Sequence, residues 1–349
     1  MGYQGLEELR ENMPVIMRSK SKQLISLALV LLLAIGLVEP KQAARAETLT
    51  VRSAPLELNP DQPGQDRIGR LRYLGGLILA ADGDVFGGYS GIVVDTDGAG
   101  LWAVSDVGHW LRLDFSRDAA GLPGGIAGAR LLPLKDAKGR PIERKSLKDA
   151  EALRRLSDGT WLVSFERAHR LWLYGEPGGA AMTTLPVPAS LAEQPDNGGV
   201  EAVAAWPNGD LLLFSEEKPA GLQASPGRTA AWLRRAGIWS DLAWPATDGF
   251  KPTDAAVLPN GDVVVLERYF TPLTGPKARL SRIVATTIQP DADLSPERLA
   301  EWARPVSVDN MEALDLRRAG DGSLWLYVMS DDNQSSFQRS LLMVFRLED

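Results

Sequence analysis

Residues 201–216 read EAVAAWPNGDLLLFSE, which is an acidic residue, an apolar strand, an Asn-Gly turn, a second apolar strand and another acidic residue. Four further stretches repeat this order, with a serine as the first residue of one, and they begin at Ser90, Glu151, Asp254 and Glu312. Asn-Gly and Asp-Gly pairs favour two-residue hairpins because both central residues adopt positive φ there. The chain therefore predicts five copies of one β-hairpin.

The spacing of these hairpins indicates how they assemble. Successive Asp-Gly or Asn-Gly turns lie 61, 50, 52 and 61 residues apart. A sheet unit that repeats about every 40–50 residues, or slightly more, is typical of a β-propeller blade. An irregular β-sandwich is the alternative, but the offsets shared by all copies favour the propeller. We expect an all-β chain in which residues 48–88 complete a sixth blade, with five blades as the alternative and residues 294–302 as one short surface helix.

The first 46 residues have the features of a secretory signal. Basic residues Arg18, Lys20 and Lys22 precede the apolar stretch 24–37, and the small-x-small sequence 44–46 follows it. An apolar stretch of this length is too short to span a bilayer comfortably, since about 20 residues are needed. We expect cleavage after Ala46, a propeller domain over residues 47–349, no stable membrane span after cleavage, and a periplasmic or secreted location.

Composition excludes several classes of function. The net charge is −7, which argues against a nucleic-acid partner. The chain has no cysteine, which excludes disulfides, thiolate metal sites and a cysteine nucleophile. An anionic substrate would need a metal ion or a local cluster of arginine and lysine to offset the general repulsion.

Each hairpin brings two polar or acidic positions together, because an antiparallel hairpin sets the start of its first strand beside the end of its second. The predicted pairs are Ser90 with Asp106, Glu151 with Glu166, Glu201 with Glu216, Asp254 with Glu267, and Glu312 with Asp331 or, as the alternative, Asp332. The first strand of each propeller blade lines the central channel, so all five pairs should converge on one mouth of that channel.

A ring of carboxylates at this mouth costs free energy unless cations occupy it or the pKa values of the carboxylates rise. Oxygen ligands in this number suit calcium, so we interpret the nine acids of these pairs as metal ligands. The alternative is that each acid caps neighbouring backbone amides.

Basic and aromatic residues follow the second acids and predict a substrate-binding group. These residues are Arg167, Lys218, Arg268, Tyr269 and Arg339. Guanidinium groups beside metal-bound carboxylates bind phosphate or carboxylate ligands, although a simple ion pair on a loop is the alternative for each one. His109 follows Asp106 by three residues and is placed to face the same mouth. We assign the candidate catalytic roles to Glu151, Glu201, Glu312 and His109.

The order of the motifs resembles the bacterial phytase-like domain family, whose members are described by an esterase-like activity of phytase. The resemblance covers residues 68–347 and is carried by GGYSGI, DAEAL, GGVEAVA, PTDAAVLPNGDVVVLERYF, DNMEALDL and SLLMVFRL. It implies an exported β-propeller and a calcium-dependent hydrolase of phosphate esters with a small-molecule substrate. Two other functions stay open: a lactonase or carboxylic-ester hydrolase on the same metal ring, and a non-catalytic binding scaffold.

Overall fold

The strands of this protein pair into five separate antiparallel sheets in a computed structural model. The structure describes residues 46–83, 85–217, 227–290 and 292–348. Each predicted hairpin supplies the innermost two strands of one sheet. The innermost strands of neighbouring sheets contact each other in a closed circle, so the five sheets are the blades of a β-propeller.

The first three blades are built from consecutive strands, which we number along the chain. Blade 1 contains, from the inside outward, β5 (Tyr89–Val94), β6 (Gly100–Ser105), β7 (His109–Arg117) and β8 (Pro123–Pro133), with β1 (Glu47–Thr48) on its outer edge. Blade 2 contains β9 (Ala150–Arg155), β10 (Trp161–Phe165), β11 (Arg170–Tyr174) and β12 (Ala181–Leu185). Blade 3 contains β13 (Ala202–Ala205), β14 (Leu211–Phe214), β15 (Arg228–Arg235) and β16 (Ile238–Pro245).

The last two blades complete the ring. Blade 4 contains β17 (Lys251–Val257), β18 (Val263–Thr271), β19 (Gly275–Ile283) and β20 (Glu297–Ala303). Blade 5 contains β21 (Asn310–Arg318), β22 (Leu324–Asp331), β23 (Ser340–Leu347), β4 (Leu71–Ala81) and β2 (Val51–Pro55), and β3 (Arg67–Ile68) pairs with β4. Short helices connect some strands, namely α1 (Lys145–Lys148), α2 (Ala189–Ala192) and the 3-10 turns η1 (Thr247–Gly249) and η2 (Ala285–Thr287).

The preferred count of six blades was wrong, and the alternative of five is correct. The N-terminal segment does join the C-terminal strands, but it completes the fifth blade. The C-terminal hairpin supplies only β21, β22 and β23, and β4 adds to the free edge of β23 along its whole length, from Leu71↔Leu347 to Leu79↔Ser340. This pairing of the two ends of the chain closes the ring and covers a sheet edge that would otherwise be exposed.

The expected helix over residues 294–302 was also wrong. Most of this segment forms β20, the outer strand of blade 4, and it pairs with β19. Arg279 on β19 donates two hydrogen bonds to Glu301 on β20, at 2.9 and 3.0 Å. Tertiary pairing therefore overrides a local sequence pattern that is compatible with a helix.

The buried apolar side chains of the described residues form five clusters, and each one lies between two neighbouring blades. The cluster between blades 2 and 3, for example, packs Leu162 of β10 against Trp232 of β15, and both side chains are buried. The five clusters follow one another around the ring. Burial of apolar area between blades thus stabilises the arrangement of the five blades. This arrangement places the loops and strand ends around the central axis.

The chain segment expected to direct export lies almost wholly outside the described residues, which begin at Ala46. Within the ranges that the structure describes, no helix combines the length and the apolar character required to cross a membrane. Residues from Ala46 onward form one compact unit.

Candidate functional site

Carboxylates crowd one mouth of the central channel, where the innermost strands begin and the second strands end. The cavity there has a volume of about 250 Å³. Its lining contains eight acidic side chains, which are Asp106, Asp149, Glu151, Glu166, Glu201, Glu216, Glu312 and Asp331. Three cationic side chains, Lys145, Arg167 and Arg268, and the polar residues Ser90, Asn197 and Asn333 complete the described lining.

An irregularity in the innermost strands aims side chains into this mouth. In blade 1 the pairing shifts between Tyr89 and Gly91, which leaves Ser90 as an extra residue. Blade 5 shows the same shift around Glu312, between Met311 and Ala313. Such a β-bulge bends the strand and re-aims a side chain, and bulges are common beside functional sites. The local sequence therefore places its polar residue at the strand start, and the bulge turns that residue toward the axis.

Blade 4 departs from the predicted pattern by one residue. Its bulge lies at Thr253, between Pro252 and Asp254, so Thr253 occupies the position that Glu312 has in blade 5. Asp254 consequently lies deeper inside the ring, fully buried, and does not line the mouth. A shift of one residue sends a side chain in a different direction because side chains alternate along a strand.

The second strand of blade 4 shows the same displacement. Arg268 rather than Glu267 reaches the mouth, because Lys251 pairs with Arg268 as Asn310 pairs with Asp331 in blade 5. Glu267 is buried in its own blade, where Ser281 Oγ donates to it at 2.5 Å and Trp244 Nε1 at 3.3 Å. Blade 4 thus contributes a cation where the other four blades contribute an acid.

Three carboxylates of blade 2 form the tightest cluster of potential metal ligands. One oxygen from each of Asp149, Glu151 and Glu166 lies within 4.8 Å of the others. Glu166 N donates to Asp149 O at 2.9 Å, which fixes the two strand ends side by side. Carboxylate oxygens at this separation are suited to converge on one hard cation such as calcium.

The pKa values at the mouth are raised, first by burial and then by repulsion between neighbouring carboxylates. Burial, reinforced by Asp149, raises the pKa of Asp106 to about 6 and that of Glu166 to about 7. Burial, with the further effect of Glu312, raises the pKa of Asp331 to about 8. The pKa values of Glu151 and Glu201 are raised well above the usual range by burial and by neighbouring glutamates. The site therefore favours protons or other cations.

Glu166 and Glu201 both line the mouth, and each side chain affects the pKa of the other. Two carboxyl groups that interact in this way titrate together, and a hydrogen bond between them would need a proton on one of the two. Because the pKa of Glu166 is about 7, the pair can release or accept a proton near neutral pH.

The arginines of the mouth are already paired with its acids. Arg268 Nη2 lies 3.1 Å from Glu216 Oε2, and its Nη1 lies 3.0 Å from Glu312 Oε1. Arg167 Nε lies 2.5 Å from Asp149 Oδ2, and its side chain is partly exposed at the rim. Each arginine therefore offers a substrate only the guanidinium donors that its carboxylate partners leave free.

Several predicted site residues lie outside this cavity. His109 begins β7, and its imidazole Nδ1 is buried without a partner. Tyr269 packs against Phe250, with 5.5 Å between the ring centroids. Arg339 pairs with Asp309 at 3.5 Å. Lys218 lies outside the described residues.

Sequence reasoning missed four residues that line the mouth: Lys145, Asp149, Asn197 and Asn333. Asp149 had a detectable signal, because it precedes Glu151 by two residues as Asn310 precedes Glu312. The sequence analysis paired Asp254 with Glu267 and did not consider Thr253, although Thr253 and Arg268 are fifteen residues apart like Glu151 and Glu166. Asn197 and Asn333 lie on connections between strands, where no repeat pattern applies.

Comparison with known proteins adds a family and a general fold likeness. The model of the phytase-like family, described as esterase-like activity of phytase, matches residues 84–334. No curated protein matches the chain. A protein of unknown function from Dyadobacter fermentans is 13% identical, with 88% of this chain and 95% of that chain covered at a TM-score of 0.43. A putative gluconolactonase gives the same identity and coverages at a TM-score of 0.41. Virginiamycin B lyase from Staphylococcus aureus is 14% identical over 80% of this chain and 85% of that chain, at a TM-score of 0.37.

Proposed function

The chain belongs to the phytase-like family, and we propose that it is an exported, calcium-dependent hydrolase of phosphate esters whose active site is the carboxylate mouth. The observation that carries the proposal is the cluster of Asp149, Glu151 and Glu166 within a cavity lined by eight acids. Within the described lining, three cationic side chains face eight carboxylates, and this excess of acid supports the binding of further positive charge.

Calcium fits the donors that the mouth provides. Every acidic ligand is a hard oxygen donor, and calcium accepts six to eight such oxygens in flexible geometry. Asp149, Glu151 and Glu166 would hold the ion, with Glu201 beside them and Glu312 on the opposite side of the ring. A bound calcium ion would polarise a phosphoryl oxygen and lower the pKa of a coordinated water molecule.

The remaining residues of the mouth supply orientation and proton transfer. Glu201, which lies beside the proposed ligands, is suited to accept a proton from the attacking water, because bound calcium would lower its raised pKa. Arg268 holds Glu216 and Glu312 in fixed positions across the ring. Arg167, partly exposed at the rim, is placed to contact an anionic group of the substrate.

A carboxylic ester or lactone is the second candidate substrate, and one observation favours it. Both arginines of the mouth are engaged with carboxylates, so a dianionic phosphate gains less from them than it would from free guanidinium groups. A neutral ester carbonyl meets no such repulsion from the surrounding acids.

Hydrolysis assays on metal-free protein test the proposal. We expect p-nitrophenyl phosphate to be hydrolysed on addition of calcium, and the Asp149→Asn and Glu151→Gln variants to lose that activity. Glu57→Gln is the matched control, because Glu57 is exposed, follows the outermost strand of blade 5 and does not line the mouth. Calcium-dependent cleavage of lactones or p-nitrophenyl acetate, without cleavage of the phosphate ester, would establish the second candidate instead. If none of these substrates is hydrolysed in a calcium-dependent manner, the non-catalytic binding scaffold is the function that remains.

Export is part of the proposal, and it rests on the sequence of residues 1–46. Mass spectrometry of protein recovered from the extracytoplasmic fraction tests it. We expect a mature chain that begins at Glu47, and a chain that still contains residues 24–37 would contradict the expectation.

A further inference from the structure

A second cavity, of about 690 Å³, lies between blades 4 and 5 on the face opposite the carboxylate mouth. Its lining includes Asn260 and Gly322, which belong to the hairpin turns of these two blades. Those turns are at the far ends of the innermost strands from Thr253 and Glu312. We call this cavity the arginine groove, and nothing in the proposed hydrolase chemistry uses it.

Four arginines line the arginine groove, and the chain brings them from distant segments. They are Arg70 before β4, Arg282 on β19, Arg318 at the end of β21 and Arg346 on β23. Glu348 is the only acid of the described lining. This group of guanidinium groups contrasts with the net charge of −7 and with the acidic mouth on the other face.

The four guanidinium groups are only partly satisfied within the protein. Arg70 and Arg282 share one carboxylate, Glu297, at 2.9 and 2.6 Å. The Nε of Arg282 is buried without a hydrogen-bond partner, because Asp262 is 4.0 Å away.

The other two arginines differ in their pairing. Arg346 pairs with Glu348 at 2.8 Å. Arg318 donates to the backbone carbonyl of Gly322 at 3.1 Å and forms no salt bridge with a residue that the structure describes. Free guanidinium donors thus remain for an external oxyanion, which they recognise with paired N–H groups.

Apolar side chains form the rest of the lining. Leu258 and Leu299 are buried at the floor, and Leu324 and Leu347 are partly exposed beside them. A volume of several hundred Å³ with apolar walls and a few convergent polar groups is typical of small-molecule sites.

We propose that the arginine groove binds a small amphipathic oxyanion, in which a phosphate, phosphonate or carboxylate group is attached to an apolar ring or chain. The anionic group contacts Arg318 and Arg282, and the apolar part lies against the leucines. This binding needs no metal ion, unlike anion binding at the acidic mouth. Because Arg70 and Arg346 belong to the blade that closes the ring and Arg282 to blade 4, the ligand bridges two blades and stabilises the fold.

Titration calorimetry of metal-free protein with phenylphosphonate, at constant ionic strength, tests the proposal. We expect saturable binding to wild-type protein, a higher melting temperature with the ligand, and weaker binding of inorganic phosphate. Arg318→Gln should weaken phenylphosphonate binding about tenfold or more, because a charge-assisted hydrogen bond is lost. Arg346→Gln, which removes a different cation of the groove, should weaken it as well.

Arg234→Gln is the matched control. Arg234 donates to the carbonyl of Gly209 in the turn of blade 3, at 3.2 Å, as Arg318 does to Gly322 in blade 5, but it lies outside the groove. The Arg234→Gln variant should bind phenylphosphonate with the same affinity as the wild-type protein. Lack of saturable binding, or equal affinities in all three variants, would overturn the proposal, and equal affinities for phosphate and phenylphosphonate would overturn its amphipathic part. Activity at the mouth is not a readout here, so this result is independent of the proposed hydrolase function.

Discussion

Arg154 and Asp254 form an ion pair at the centre of the ring, and through it all five innermost strands are hydrogen-bonded together. Arg154 donates to backbone carbonyls on the innermost strands of three other blades, those of Ile92, Val203 and Ala255. Asp254 accepts from the amide of Leu314, on the fifth innermost strand, at 2.7 Å. The pair therefore links the innermost strands of all five blades inside the ring.

Replacing Arg154 by Met should destabilise the protein by about 3–5 kcal/mol, because Asp254 would be left buried without its partner. Urea denaturation measures the change in the free energy of unfolding. Arg155→Met is the control, since Arg155 is exposed and only stacks near Trp161, and it should cost far less. The double variant Arg154→Met/Asp254→Asn should recover part of the loss. Equal losses of stability in Arg154→Met and in the control Arg155→Met would show that the ion pair has no special role.

Calcium should raise the melting temperature of metal-free protein, because the unfolded chain does not present the carboxylate cluster. At about 100 times the dissociation constant the ion stabilises the folded state by roughly 2.7 kcal/mol. We expect Glu151→Gln and Glu201→Gln to reduce this shift, and Glu57→Gln to leave it unchanged. Thermal melts in calcium and in chelator measure it, and identical wild-type melts would argue against a calcium site.

Stability of the metal-free protein should fall as the pH rises from about 4.5 to about 8. The pKa values of Glu166 and Asp331 are raised to about 7 and about 8, so the folded state binds more protons than the unfolded state across this window. The stabilising contribution of these protons is complete below the unfolded pKa and is lost as the pH passes the folded pKa. Chemical denaturation at pH 5, 6.5 and 8 measures the slope, and saturating calcium should reduce it. A stability that increases with pH over this range would contradict the expected repulsion at the mouth.

Arg268→Gln should lower the stability of metal-free protein and increase the calcium-induced shift in melting temperature. Arg268 offsets the charges of Glu216 and Glu312, so its loss leaves more repulsion for calcium to relieve. Arg298→Gln is the control, because Arg298 is exposed and, among the residues that the structure describes, forms its salt bridge with Glu301 on the outer strand of blade 4. A smaller calcium shift in Arg268→Gln than in Arg298→Gln would contradict this role for Arg268.

Gly88→Ala should disturb the mouth more than Gly209→Ala, although both substitutions place an alanine at a positive φ. Gly88 has a φ of +67°, and a Cβ there would overlap Oδ1 of Asp106. Gly209 has a φ of +86° and open space around it, so Gly209→Ala should cost only the left-handed strain of about 1–2 kcal/mol. We expect Gly88→Ala to be the less stable variant and to lose part of its calcium response. Equal melting temperatures and calcium shifts would show that Asp106 moves aside without consequence.

The sequence predicted the parts of the fold that depend on neighbouring residues. Turn pairs such as Asn208-Gly209 and the alternation of apolar residues around them specify a hairpin locally. The same reasoning located the mouth, because Glu151 and Glu166 must meet wherever their hairpin forms. Hairpin spacing then led to the propeller, since repeated sheets of this size bury their faces best against each other.

Only the tertiary structure decided the features that depend on distant parts of the chain. The number of blades followed from the pairing of β4 with β23, which joins the two ends of the chain. The bulge at Thr253 turned Asp254 toward Arg154 and brought Arg268 to the mouth. The type of residue does not reveal such a shift. Asp254 preserves the pattern of an acid before an apolar strand, but it lies one residue beyond the bulge and its side chain therefore points in a different direction. Strand identity is a local property, whereas register and ring closure are set by the packing of all five blades together.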